Sequence, residues 1–225
     1  MLSKLKTCVL YGLEGYEVDV ETDLSNGLPN FTIVGLPDIS IKESKERVRS
    51  AIKNSGFKFP VSRITVNLAP ANLKKEGSQI DLPIAIGILA ASRIIDKDID
   101  EKTCIIGELS LDGEITSVEG ALPMVIAMRN NNFTKAVIPV GNREECGVIE
   151  GISIIPVENL FDLVNYLNGD LIIEPYFSIY DAYDSNDNFV EDFSEIKGQP
   201  AMKRAVEIAA AGMHNLLMLF SLLMV

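Results

Sequence analysis

A serine and two lysines stand together in Lys74-Lys-Glu-Gly-Ser78, and a hydroxyl beside an amine is the smallest set that can attack a carbonyl. The amine must be neutral to take the serine proton, so its surroundings have to bring its pKa down from about 10.4. A glycine-containing turn predicts the opposite: exposed lysines that stay charged at neutral pH. The segment therefore reads as a loop-to-helix connection without hydrolytic chemistry. His214 is the single histidine; no nucleophile is spaced to use it, and a packed or capping role follows. Lys203, Arg204 and Glu207 read as the solvated face of a helix, with Lys203 and Glu207 at i,i+4 spacing. Cys8, Cys104 and Cys146 are far apart and lack C-x-x-C spacing, so neither a disulfide framework nor a metal site is expected.

Periodicity supplies the elements that would position these groups. Residues 5–13 and 16–22 predict two strands around Gly12-Leu-Glu-Gly15, with further strands at 31–36 and 63–68. A helix is predicted from Ser40, which lies in capping-box spacing with Glu43, to a stop at Ser55-Gly56. Residues 81–94 predict a buried helix that tolerates Pro83 in its first turn. Residues 104–109 and 113–116 predict a strand pair around Leu111-Asp-Gly113. A helix at 119–130, buried strands at 135–139 and 151–156 and a helix at 157–167 follow. This order predicts an α+β or α/β domain with helices packed on a sheet.

Charge is unevenly placed. Between Arg143 and Lys197 lie thirteen carboxylates and no Lys or Arg, which leaves the rest of a chain of net charge −12 at +1. Such a segment repels phosphate, so direct DNA binding by this chain is not expected. Residues 169–191 lose periodicity and predict an acidic linker. The apolar runs at 82–92 and 216–225 fall short of the roughly 20 residues a bilayer requires. With no secretory leader at Met1-Leu-Ser-Lys-Leu, a cytoplasmic protein without membrane association is expected.

Residues 192–212 predict a capped helix, and Met213-His-Asn-Leu-Leu-Met-Leu-Phe220 is an apolar run suited to a buried parallel strand. In P-loop ATPases such a pair precedes G-x-x-x-x-G-K-[ST], whose backbone N–H groups close around phosphate while Lys and hydroxyl serve phosphate and Mg²⁺. Here the chain reads Ser221-Leu-Leu-Met-Val225 instead, and no such loop occurs in its 225 residues. Residues 216–225 are then expected to form an exposed apolar tail with a tendency to aggregate.

Two blocks resemble the proteolytic domain of Lon-type proteases: Asn67-Leu-Ala-Pro-Ala-Asn-Leu-Lys-Lys-Glu-Gly-Ser-Gln-Ile-Asp-Leu-Pro-Ile-Ala85, and Gly107-Glu-Leu-Ser-Leu-Asp-Gly-Glu-Ile-Thr-Ser-Val-Glu-Gly-Ala-Leu-Pro123. The resemblance implies a Ser/Lys dyad at positions that here hold Gln79 and Ala121, so no catalytic residue is expected. With Gly35-Leu-Pro-Asp38, Glu43-Ser-Lys-Glu-Arg-Val-Arg49 and the 192–218 segment, the chain resembles the ComM/YifB family of magnesium-chelatase-like AAA+ ATPases.

That resemblance implies an α+β fold like ribosomal protein S5 and the Lon proteolytic domain over residues 1–168, without the dyad. An acidic linker over 169–191 and the incomplete start of a P-loop α/β AAA+ domain over 192–225 would follow. It implies ATP and Mg²⁺ as cofactors of the full-length family, with Gly198 and Gln199 on the adenine side. It also implies hexamers acting in DNA branch migration during recombination and natural transformation. On this reading the chain, broken off before its phosphate loop, does not hydrolyse ATP. Two alternatives stay open. One is a stand-alone interaction or oligomerisation module that self-associates or binds a protein partner; the other, ranked third, is a Lon-like Ser/Lys peptidase.

Overall fold

The computed structural model describes residues 1–178 and 193–219. Most of the predicted linker (179–191), residue 192 and the end of the apolar tail (220–225) lie outside the described residues. Contacts divide the chain into two units, Met1–Tyr180 and Asp181–Val225.

In the first unit β1 (Leu2–Tyr11) and β2 (Glu14–Ser25) form a long hairpin, and β3 (Asn30–Val34), α1 (Ile39–Asn54), β4 (Arg63–Ala69) and α2 (Asp81–Ala91) follow. Then come β5 (Thr103–Ile105), the small hairpin β6 (Glu108–Leu109) and β7 (Ile115–Thr116), α3 (Ala121–Asn130), β8 (Lys135–Pro139), the single turn α4 (Arg143–Cys146), β9 (Ser153–Val157) and α5 (Leu160–Asn168). Seven strands make one sheet in the order β3-β4-β2-β1-β5-β8-β9. Only β1–β2 and β2–β4 run antiparallel; the other four pairs are parallel. The fold is thus mixed α/β on a mostly parallel sheet.

Two cores flank the sheet, and the strand sequences follow from that. Ile105, Val137 and Ile155 point into the cluster with α1, α2 and α5, whereas their neighbours Cys104, Ile106, Ala136, Ile138 and Ile154 point into the cluster with α3 and Cys146. Strands covered on both faces read as continuous apolar runs. In β2 and β4 one face is covered and the other carries charge: Val18, Val20, Val66 and Leu68 are buried, while Glu17, Asp19 and Glu21 answer lysines of β1. Lys4 lies 3.2 Å from Asp19 and 3.5 Å from Glu21, and Lys6 lies 2.6 Å from Asp19. α2 is buried on nearly every residue, as its lack of a polar face requires.

Helix ends differ from expectation where a better cap exists. Asp38, not Ser40, caps α1: its carboxylate accepts from the Ile41 N–H at 2.9 Å, and Ser40 donates to that carboxylate. A carboxylate also suits the positive end of the helix. α5 starts at Leu160 rather than 157 because Asn159 accepts from the Asp162 N–H at 2.8 Å.

In the second unit a 3₁₀ turn (Phe193–Glu195) precedes α6 (Pro200–Ala211). The helix begins at Pro200 instead of 192, since Pro fits the first turn and Gln199 before it is left-handed, with φ 51°. The predicted strand is not formed over 213–219, where Met213, Leu217 and Leu219 are exposed. Backbone groups of a strand need a neighbouring strand to pair with, and residues 193–219 contain none.

Candidate functional site

The loop after β4 carries Lys74, Lys75 and Ser78, the amines and hydroxyl that could serve nucleophilic chemistry, and its sequence has little freedom. Gly77, at φ 94°, lets the chain turn into a 3₁₀ turn (Ser78–Ile80) that runs straight into α2. Gln79 anchors that entry through its backbone, whose carbonyl accepts from the Gly107 N–H at 2.9 Å; the Gly107 carbonyl in turn accepts from Leu82 at 3.0 Å. The Gln79 side chain folds back to donate to the Glu76 carbonyl at 2.8 Å. Nothing in this arrangement offers a nucleophile at that position.

Ala121, the other expected dyad position, opens α3 and is fully buried in the cluster with Cys8, Met124 and Val125. A lysine there would have to place an ammonium in an apolar core, at a cost of several kcal/mol. Gln79 and Ala121 belong to different packing environments: a loop beside α2, and the core under α3.

Lys75 corrects the expectation of an exposed turn. It is fully buried, and its Nζ donates to the carbonyls of Gly35, at 3.1 Å, and Pro70. Burial pushes its pKa down, the direction a general base needs. Its amine is nevertheless committed to carbonyls, while the Ser78 hydroxyl donates to the Glu108 carboxylate. Lys74 is exposed and paired with Glu76. Lys75 and Ser78 are thus drawn to different partners, and no proton relay joins them. The thiols supply no nucleophile either: burial pushes Cys8 and Cys146 up to about 12.

Beside this loop stands a polar cluster that sequence reasoning missed. Arg47 of α1 donates two hydrogen bonds to Asp81, from Nε at 2.6 Å and Nη2 at 3.1 Å, and Nη2 also reaches the Ser40 carbonyl at 3.2 Å. Asp81 is 1% exposed; burial pushes its carboxyl up against the pull of Arg47 and of the Leu109 N–H. The pair ties α1 to the first turn of α2. Its sequence signal was available: an Asp at the start of an otherwise wholly apolar helix needs a buried partner. Asp81→Ala leaves Arg47 unpaired with three-quarters of its side chain covered, and it is expected to cost about 2–3 kcal/mol. Urea denaturation checks this, and a loss below 1 kcal/mol would mean water replaces the carboxylate.

In the second unit Gly198 and Gln199 precede α6, both left-handed at φ 75° and 51°. A side chain on Gly198 would meet no heavy atom within 4 Å, so the backbone before the helix is open to a ligand. Among the described residues no lysine-and-hydroxyl phosphate loop accompanies it. His214 is exposed; its N–H bonds the Ala209 carbonyl at 2.8 Å and closes the end of α6, a capping role. Glu207 pairs with Arg204 at 3.1 Å rather than with Lys203, which lies 5.8 Å from the Phe193 ring centroid.

Comparison with known proteins adds a consistent set of matches. Residues 20–142 match the family model described as subunit ChlI of Mg-chelatase, and residues 192–221 match that described as magnesium chelatase, subunit ChlI. The chain is 41% identical over 210 residues to competence protein ComM of Haemophilus influenzae, covering 92% of this chain and 41% of that protein. To the uncharacterized protein YifB of Escherichia coli K12 it is 38% identical over 222 residues, covering 97% of this chain and 42% of that protein. A more distant match, 27% identical over 135 residues, is Lon protease 2 of Bacillus subtilis, covering 60% of this chain and 23% of that protein. The chain therefore spans about two fifths of the length of ComM and YifB.

Proposed function

Because this chain belongs to the ComM/YifB family of magnesium-chelatase-like proteins, we propose that it joins a non-catalytic Lon-like, S5-like domain to the adenine-side entry of a AAA+ ATPase module. Residues 1–168 are the scaffold, with Gln79 and Ala121 where a dyad would stand. Residues 169–191 link it to the module, and Gly198 and Gln199 contact the adenine. In the whole cytoplasmic protein, ATP and Mg²⁺ drive a hexamer that moves DNA branches during recombination of incoming DNA. The observation that carries this reading is the second family match, over residues 192–221, which begins just before the open backbone ahead of α6.

A direct experiment compares residues 1–225 with a longer protein that supplies a phosphate-binding loop. The longer protein is expected to hydrolyse ATP and migrate branches, whereas residues 1–225 hydrolyse none. Hydrolysis by residues 1–225, or its absence from the longer protein, overturns the assignment.

A surface of the first unit supports the DNA role. Lys42, Lys45, Arg49 and Lys53 fall at i, i+3, i+7 and i+11 along α1, which places them on one stripe. Among the described residues none of the four enters an ion pair. Tight binding by residues 1–225 remains opposed by a net charge of −12, but within an assembly the stripe contributes phosphate contacts. Reversing all four to Glu in the longer protein is expected to flatten the salt dependence of DNA affinity by up to about four in log–log slope. An unchanged slope removes the stripe from the interface.

A further inference from the structure

The outer edge of β1 is left open beside a groove. The Met1 ammonium nitrogen donates to the Leu24 carbonyl, and the Leu24 N–H donates to the Met1 carbonyl at 2.9 Å. That reciprocal pair fixes the alternation of the antiparallel ladder. Leu2 and Lys4, opposite Asp23 and Glu21, turn their N–H and C=O groups away from β2. On the far side β5 engages β1 only through Lys6 and Cys104. Ahead of β5 the chain turns off, with the Thr103 N–H donating to the Asp100 carbonyl at 2.9 Å. A groove of about 850 Å³ results, with residues 1–5 along one wall and residues 95–101 along the other.

Exposed strand edges of this kind are usually blunted by Pro, a bulge or a covering loop. Here the ladder with β2 is unbroken from Leu2 to Tyr11, and Leu2 is 71% exposed. The opposite wall is acidic: Asp96, Asp98, Asp100 and Glu101 face the groove with Arg93 and Lys97. Among the described residues none of the four carboxylates is in an ion pair. The Lys4 amine, on the strand side, is taken up by Asp19 and Glu21.

We propose that this slot receives an extended, lysine- or arginine-bearing peptide segment of a partner protein, which pairs with Leu2 and Lys4 as an added strand collinear with β5. Main-chain hydrogen bonds hold such a strand, and the acidic 95–101 wall selects its charge. Because the incoming chain lies between β1 and that wall, a single extended segment fits better than a strand already flanked by its own sheet. The residues of the slot all belong to the first unit, and the proposal does not depend on the ATPase reading.

The probe is a labelled decapeptide of alternating Lys and Val, with alternating Glu and Val as its counterpart, titrated into residues 1–225. Hydrogen exchange at the Leu2 and Lys4 amides is followed alongside. The Lys-Val peptide is expected to bind and slow exchange at both amides, and the Glu-Val peptide is not. Leu2→Pro, which removes an outward N–H at an exposed edge position, is expected to weaken binding by about tenfold. Asp96→Lys with Asp98→Lys is expected to weaken it by a similar factor without changing the melting temperature. Equal binding of both peptides, or binding unaffected by Leu2→Pro and by the double reversal, overturns the proposal. So does slowed exchange at Leu2 that grows with protein concentration alone, because the occupant is then a second copy.

Discussion

Gly35→Ala is expected to destabilise the first unit by about 3 kcal/mol or more, enough to unfold a marginal domain. Gly35 lies between β3 and α1 at φ +98°, a conformation side chains rarely adopt. A β-carbon there would overlap the Leu68 carbonyl oxygen and sit 2.8 Å from its carbonyl carbon. Leu68 pairs with Val20 in the middle of the sheet, so its backbone has nowhere to go. Left-handed strain contributes about 1–2 kcal/mol, and displacing packed backbone about 1–3 kcal/mol more. The Gly35 carbonyl also receives Lys75, so any shift of residue 35 weakens that bond. Gly56→Ala is the control: it has φ +85° with nothing within 4 Å, and only the strain of about 1 kcal/mol applies. Denaturation midpoints of the two variants separate the terms. Equal losses would mean that the Leu68 approach relaxes without cost.

The elements that position the site were legible because their burial is simple. Lys135–Pro139 reads as a buried strand and is one, since both of its faces are covered. Asp81 with the apolar residues after it reads as a buried helix and is one, ending at Ala91 instead of 94. What failed depended on tertiary partners. Lys75 looks like a turn lysine, yet loops distant in sequence enclose it: Lys75 accepts from the Asp38 N–H at 3.0 Å and donates its own N–H to the Leu36 carbonyl at 3.2 Å. The Arg47–Asp81 pair spans 34 residues: an Asp opening an apolar helix announces that a partner is needed, but no local pattern singles out Arg47 as that partner. The segment 213–219 has the composition of a strand but no neighbouring strand among the described residues of its unit, and composition alone does not make a ladder. At the site itself, the types Gln79 and Ala121 were readable, whereas the environments that separate them were not.

Lys75 should separate the value of a filled core from the cost of a buried charge. Its side chain is among the largest that are fully buried, and among the described residues no carboxylate pairs with it. Lys75→Ala empties that volume and strips a donor from the carbonyls of Gly35 and Pro70, so a loss of about 3–5 kcal/mol is expected. Lys75→Met keeps most of the volume and removes the charge. Only the two unmet carbonyls then count, partly offset, for a loss of about 1–2 kcal/mol. The pH dependence tests the same balance. Burial lowers the folded-state pKa of Lys75 below 10.5, so between the two values the unfolded chain binds more protons and stability rises with pH. Below the folded-state pKa the cost of the buried charge is present in full; it is relieved as pH climbs towards the ordinary lysine value. Wild-type protein is therefore expected to gain stability over Lys75→Met when urea denaturation at neutral pH is repeated in that alkaline range. A constant gap would mean that the two carbonyls already compensate the ammonium, and that Lys75 joins the two loops at no electrostatic cost.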